Sequence, residues 1–221
     1  MGTPISGKPG LVGPLGDGSP AEVGVDAFGS LLVAEKGPKY LEWTRRGYMY
    51  TTLTSPAAPI ALPIYSTATN SPTLWNPPGS GKMVVPVKLH VAVADAGDRA
   101  AASVILSYTP AAAEVATGGT FATFTNIVPV NCLLNGPACK ARYAGAVVTW
   151  TTQPTAFMHI PVQVGINILD GSRDGSWVDF DFEGAVILPP GTAISVTTPV
   201  AFDGTYLASF IFAELPLPAG V

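Results

Sequence analysis

Asp170-Gly171-Ser172-Arg173-Asp174-Gly175, followed by Asp181, sets side-chain oxygens at positions one, three, five and twelve of a loop with glycine at six. That is the spacing at which calcium loops collect hard oxygen ligands. Asp170, Ser172, Asp174 and Asp181 are therefore the candidate metal ligands, and calcium is the one cofactor the sequence suggests. Against it, Asp181 stands where a bidentate glutamate belongs, Arg173 adds positive charge inside the loop, and the flanks read as strands. An Asp-Gly hairpin turn with Asx-type hydrogen bonds is the favoured reading.

Asn76-Pro77-Pro78-Gly79-Ser80-Gly81-Lys82-Met83 shares its Gly-Ser-Gly-Lys ending with phosphate-binding loops. Such a loop needs Gly at the position of Asn76, Ser or Thr at that of Met83, and a helix to follow. Here Met83-Val84-Val85-Pro86-Val87 reads as a strand, so the string is expected to be a turn that delivers the chain into it. For hydrolysis the inventory is thin. His90 and His159 lie in strand-like runs without a nucleophile motif beside them, and no Gly-x-Ser-x-Gly elbow occurs. Asp179, Asp181 and Glu183 form an acidic stripe, but residues two apart on a strand sit about 7 Å apart and nothing else marks a sugar cleft. No catalytic residue is assigned, and the chain is not read as an enzyme.

Cys132 and Cys139 flank Leu133-Leu134-Asn135-Gly136-Pro137-Ala138, whose Asn-Gly-Pro centre signals a tight turn. They can face each other across a hairpin, yet in a chain folded in a cytoplasm two reduced thiols are the simpler expectation. Their spacing with two histidines matches no zinc pattern.

These residues need a scaffold, and the composition indicates which. Of 221 residues 48% are hydrophobic and only 12% charged, with 24 Gly and 22 Pro. This excludes a disordered chain and disfavours long helices, leaving strands joined by many turns. The net charge of -4 argues against a general nucleic-acid binder, and the Arg45-Arg46 pair reads as a local contact. No apolar run approaches the ~18 residues of a membrane span, and the N-terminus lacks the apolar core of a secretory signal.

Gly7, Gly10, Gly13 and Gly16 recur every third residue among prolines, so residues 1–30 are expected to form an extended arm rather than a core. Residues 31–73 read as short strands and turns packing on the main domain, with Leu31 to Ala34 and Tyr40 to Thr54 strand-like. Residues 74–221 read as a β-sandwich with strands over 83–93, 101–108, 121–130, 144–151, 157–169, 176–188, 193–198 and 206–214. Val178, Phe180 and Phe182 alternate with the acidic stripe, giving one core face and one wet face. Tyr206 to Phe212 is apolar or small on both faces, and Tyr206, Phe210 and Phe212, with the four arm glycines, are the expected assembly interface. Pro110 to Ala116 is the best helix candidate.

The segments Gly29 to Glu35, Tyr40 to Tyr50 with its Arg45-Arg46-Gly47 turn, Thr73 to Lys82, and Leu188-Pro189-Pro190-Gly191-Thr192 resemble those of virion-associated proteins of tailed bacteriophages. The resemblance covers residues 28–215. It implies an all-β, jelly-roll-like sandwich with a Gly/Pro-rich N-terminal arm, in a homotrimer on the capsid surface. The implied function is capsid decoration or cement, with the major capsid protein or other virion proteins as partners and assembly in the host cytoplasm. No nucleic-acid or membrane partner is expected. A receptor-binding fibre or spike head, and the shell-forming capsid subunit itself, are the competing functions; the near-absence of basic residues in the arm weighs against the second.

Overall fold

Runs of β-branched and aromatic residues, cut by proline and glycine, fold here into two antiparallel sheets that bury one face of each against the other. The structure is a computed structural model of the 221-residue chain. It describes residues 39–55, 59–65, 69–70, 72–95, 103–110, 126–127, 129–145, 148–149, 153–161, 163–164, 176–199 and 205–217. Two units divide the chain, Met1–Leu41 and Glu42–Val221. Gly7, Gly10, Gly13 and Gly16, Leu31 to Ala34, residues 111–125, and Asp170, Ser172 and Asp174 lie outside the described residues.

In chain order the elements are α1 (Leu41–Arg45), β1 (Met49–Thr51), β2 (Thr69–Asn70), β3 (Thr73–Asn76), β4 (Lys82–Asp95), β5 (Ser103–Pro110), β6 (Asn126–Ile127) and β7 (Val130–Asn131). There follow β8 (Arg142–Ala144), β9 (Val148–Thr149), β10 (Thr155–Pro161), β11 (Gln163–Val164), β12 (Ser176–Asp181), β13 (Thr192–Thr197) and β14 (Thr205–Pro216). The first sheet runs β11-β12-β4-β14-β1-β7 and the second β10-β5-β13-β3-β8-β6, with β2 and β9 as a separate ribbon. The longest pairing joins β4 and β14, from Lys82 opposite Pro216 to Asp95 opposite Thr205. Pro86 is tolerated in β4 because it falls beside the register shift at Ile211/Phe212 and beyond the stretch that pairs with β12.

The expected strand over Tyr40 to Thr54 is instead a five-residue helix, α1, followed by the short strand β1. Glu42 lies in the first turn of α1, and its carboxylate accepts from Arg45 at 3.3 Å and Arg46 at 2.7 Å, so that pair is the local contact its spacing suggested. Gly47, at φ 71°, stops the helix. Its N–H donates to Thr44 O and that of Tyr48 to Trp43 O, the paired bonds of a Schellman cap. β1 and β3 are themselves strands of the sandwich, β1 between β14 and β7 and β3 between β13 and β8.

Three of the expected long strands are broken. Val130 and Asn131 pair in the first sheet and Asn126–Ile127 in the second, with Pro129, which lacks an N–H, between them. Pro161 likewise ends β10, and β11 joins the other sheet. β12 stops at Asp181 because Glu183 and Gly184 take left-handed φ values of 49° and 79° and turn the chain away.

Tyr206, Phe210 and Phe212, expected at an assembly interface, belong to the chain's own core, at 3%, 0% and 0% exposure. β14 lies inside the first sheet, and its period-two alternation sends these residues and Ala208 toward the second. Phe210 meets Tyr143 of β8 edge to face at 6.3 Å, and Phe212 stacks on Tyr50 at 5.7 Å. Leu207, Ser209 and Ile211 make the outward, half-buried face.

Candidate functional site

The chain leaving β12 must cross from the first sheet to the second, and this crossing shapes a cleft. Phe182 N–H donates to Val87 O, and Val84 and Leu188 exchange backbone bonds at 3.0 and 2.7 Å, which lays residues 182–191 back across β4. Asn76 locks the crossing with its buried amide, donating to Lys82 O at 2.8 Å and Leu188 O at 2.9 Å. The Asn76–Met83 string is thus the turn its sequence indicated. Gly79 and Gly81 take φ values of 73° and 67°, and a strand follows.

Between this crossing and the ends of β5 and β10 lies a cleft of about 460 Å³. Tyr108 and Phe157 form one wall, edge to face at 6.1 Å, and Val186, Ile187 and Pro189 form the other. The register shift between Ala156 and Met158 marks where Phe157 leaves the regular ladder of β10. Among the described residues, no charged side chain lines the cleft. It offers apolar area and a single phenol, so its chemistry is burial of an apolar group rather than acid–base or metal work.

A second feature follows β7. Asn131 Nδ2 donates to Gly47 O at 2.9 Å and Pro137 O at 3.0 Å, while its Oδ1 accepts the Leu133 N–H at 2.8 Å. Gly136 N–H closes the turn onto Leu133 O at 2.6 Å, and Asn135 takes φ 68°. Below the turn, Glu214 Oε1 accepts the Cys139 S–H at 2.9 Å, the Lys140 N–H at 2.8 Å and the Ala141 N–H. Both thiols are free, and burial, then the Glu214 charge, pushes Cys139 far above the ordinary thiol range. Tyr50, donating to Pro137 O at 3.3 Å, is raised to about 12 by burial and by the same carboxylate. The loop is rigid beneath and apolar on top, with Leu133 and Leu134 exposed.

Among the described residues, the titratable groups singled out in the sequence do not converge on one site. His90 and Asp179 are register partners on β4 and β12, with Nδ1 3.4 Å from Oδ1, and Lys88 Nζ lies 3.8 Å from the same oxygen. Asp179 of the acidic stripe is therefore answered by Lys88 on the neighbouring strand, at a half-exposed surface where such a pair contributes ~0–1 kcal/mol. Asp181 Oδ1 accepts the Glu183 N–H at 3.0 Å, an Asx-type turn. His159 is exposed on edge strand β10. Among the described residues no three of His, Cys, Asp and Glu come together, and no helix is long and apolar enough to cross a membrane.

Tyr108, Phe157 and Ile187 in the cleft, and Leu133 and Leu134 on the loop, escaped the sequence reading. A signal existed for the last two: adjacent leucines ahead of Asn-Gly-Pro cannot both turn inward from so tight a turn. No family model, curated protein or solved structure matches the chain.

Proposed function

We propose that this chain is a structural virion protein, a jelly-roll subunit that decorates or cements a tailed-phage capsid as a homotrimer, with residues 1–30 as the clasping arm. Strand order carries the reading. Taking β1, β3, β4, β5, β10, β12, β13 and β14 as first to eighth, one sheet runs first, eighth, third, sixth and the other second, seventh, fourth, fifth. Two interlocked Greek keys of this kind make the double-sheet jelly roll used by viral capsid and lectin domains. The 12% charged content adds the second support, since a surface so poor in charge suits burial against neighbours. The work is mechanical: each contact with a neighbour or with the major capsid protein adds ~25 cal/mol per Å² of apolar area buried, less the entropy of ordering the arm.

Mixing the purified chain with expanded heads that lack it, then sedimenting them, tests the reading. Saturable binding is expected, with light scattering giving a trimer for the free protein. A chain that binds no capsid shell and stays monomeric overturns it.

A further inference from the structure

The loop after β7 combines a rigid base with an apolar tip, the reverse of what water favours. Its turn is fixed by three Asn131 bonds and by Gly136, where a Cβ would come within 2.7 Å of both Asn131 Cγ and Leu133 O. Yet what this framework holds outward is Leu134, 79% exposed, and Leu133, 41% exposed. From Cys132 to Cys139 the loop carries no charge. A preorganised, uncharged projection of this kind loses little entropy when it is buried by a partner.

The cleft is its converse: concave, uncharged and rimmed by Tyr108, Phe157 and Ile187, at 44%, 39% and 53% exposure. Among the described residues its lining offers two hydroxyls, of Tyr108 and Thr192, and Thr192 Oγ1 is already committed to Pro189 O at 2.7 Å, too few to orient a small polar ligand. The two features occupy opposite edges of the sandwich. The loop follows β7, at one border of the first sheet, whereas the cleft lies against β10, at the border of the second sheet that packs near β12.

We propose that Leu133 and Leu134 of one copy seat in the cleft of the next, between Phe157, Tyr108 and Ile187. This rests on the reading of the chain as a self-assembling virion subunit and names the surfaces that meet. Because projection and cleft are different surfaces, the contact is head to tail. Such contacts close into a ring when the rotation between successive copies divides a full turn, and otherwise extend into a filament.

Two single variants of the full chain, Leu134→Asp and Ile187→Asp, test the contact by light scattering across a concentration series. Both positions are exposed, so circular dichroism and melting should match the parent chain. Each variant alone is expected to lose at least about 30-fold in self-association. Mixed together they should form a one-to-one dimer and stop, because one copy keeps an intact projection and the other an intact cleft. Parent-like assembly by either variant, or a mixture that remains monomeric, overturns the contact. Head sedimentation of the parent chain separates the two proposals: a chain that binds shells but assembles without these residues retains the virion role and loses only this interface.

Discussion

Glu214 shows how one buried side chain can organise distant segments. Its Oε1 holds a thiol and two backbone N–H groups of residues 139–141, so Glu214→Ala strands three donors at a site only 3% exposed. A loss of about 3–5 kcal/mol is expected, or roughly 10 °C in melting temperature for a chain of this length. Glu214→Gln, which keeps an acceptor oxygen, should lose less than half of that. Tyr143 bears on alkaline stability. Burial raises its phenol from 10 to about 12, and its hydroxyl donates to Ala208 O at 3.1 Å. The unfolded chain therefore ionises first, so this contribution is intact below pH 10 and is lost as pH rises toward about 12. Urea midpoints should fall across that window, and Tyr143→Phe should flatten the fall, with Tyr50 supplying what remains.

Elements were legible where a periodic pattern ran uninterrupted. β4, β5, β13 and β14 lie within a few residues of their expected places because alternating burial writes itself into sequence. The second half of β1's neighbourhood was not legible. Thr52 and Thr54 lie alongside β14 outside any regular strand, and their hydroxyls accept the N–H groups of Phe210 at 2.9 Å and Ala208 at 3.3 Å. A side chain standing in for a carbonyl leaves no periodic trace. Nor was the role of Tyr206, Phe210 and Phe212 readable, since an apolar face does not say whether its own second sheet or another chain covers it. The projection and cleft depend on contacts far apart in sequence and were invisible for the same reason. Gly47 links two of these elements: a Cβ there would approach Pro137 Cδ to 2.8 Å, on a backbone at φ 71°. Gly47→Ala should cost about 2–3 kcal/mol, because it strains the helix cap and displaces the loop together. Gly79→Ala, at φ 73° with nothing within 4 Å, isolates the backbone strain and should cost only about 1 kcal/mol. Thermal melts of the two variants measure the difference.

For the molecule as a whole, the proposed contact is apolar on both sides, and this fixes its response to salt. Self-association should change less than about threefold between roughly 0.05 and 0.5 M salt, because no charge is available to screen. A steep fall measured by sedimentation would point instead to the Lys88, His90 and Asp179 face. The sandwich also carries a constraint in time. β1 has only β7 and β14 as sheet neighbours, and Thr52 binds Phe210 across 158 residues of chain. The first sheet therefore cannot close before β14 has been synthesised. Until the ribosome delivers β14, the apolar faces of β1 and β4 lie open, and the nascent chain depends on slow, long-range pairing or on chaperones to reach the fold.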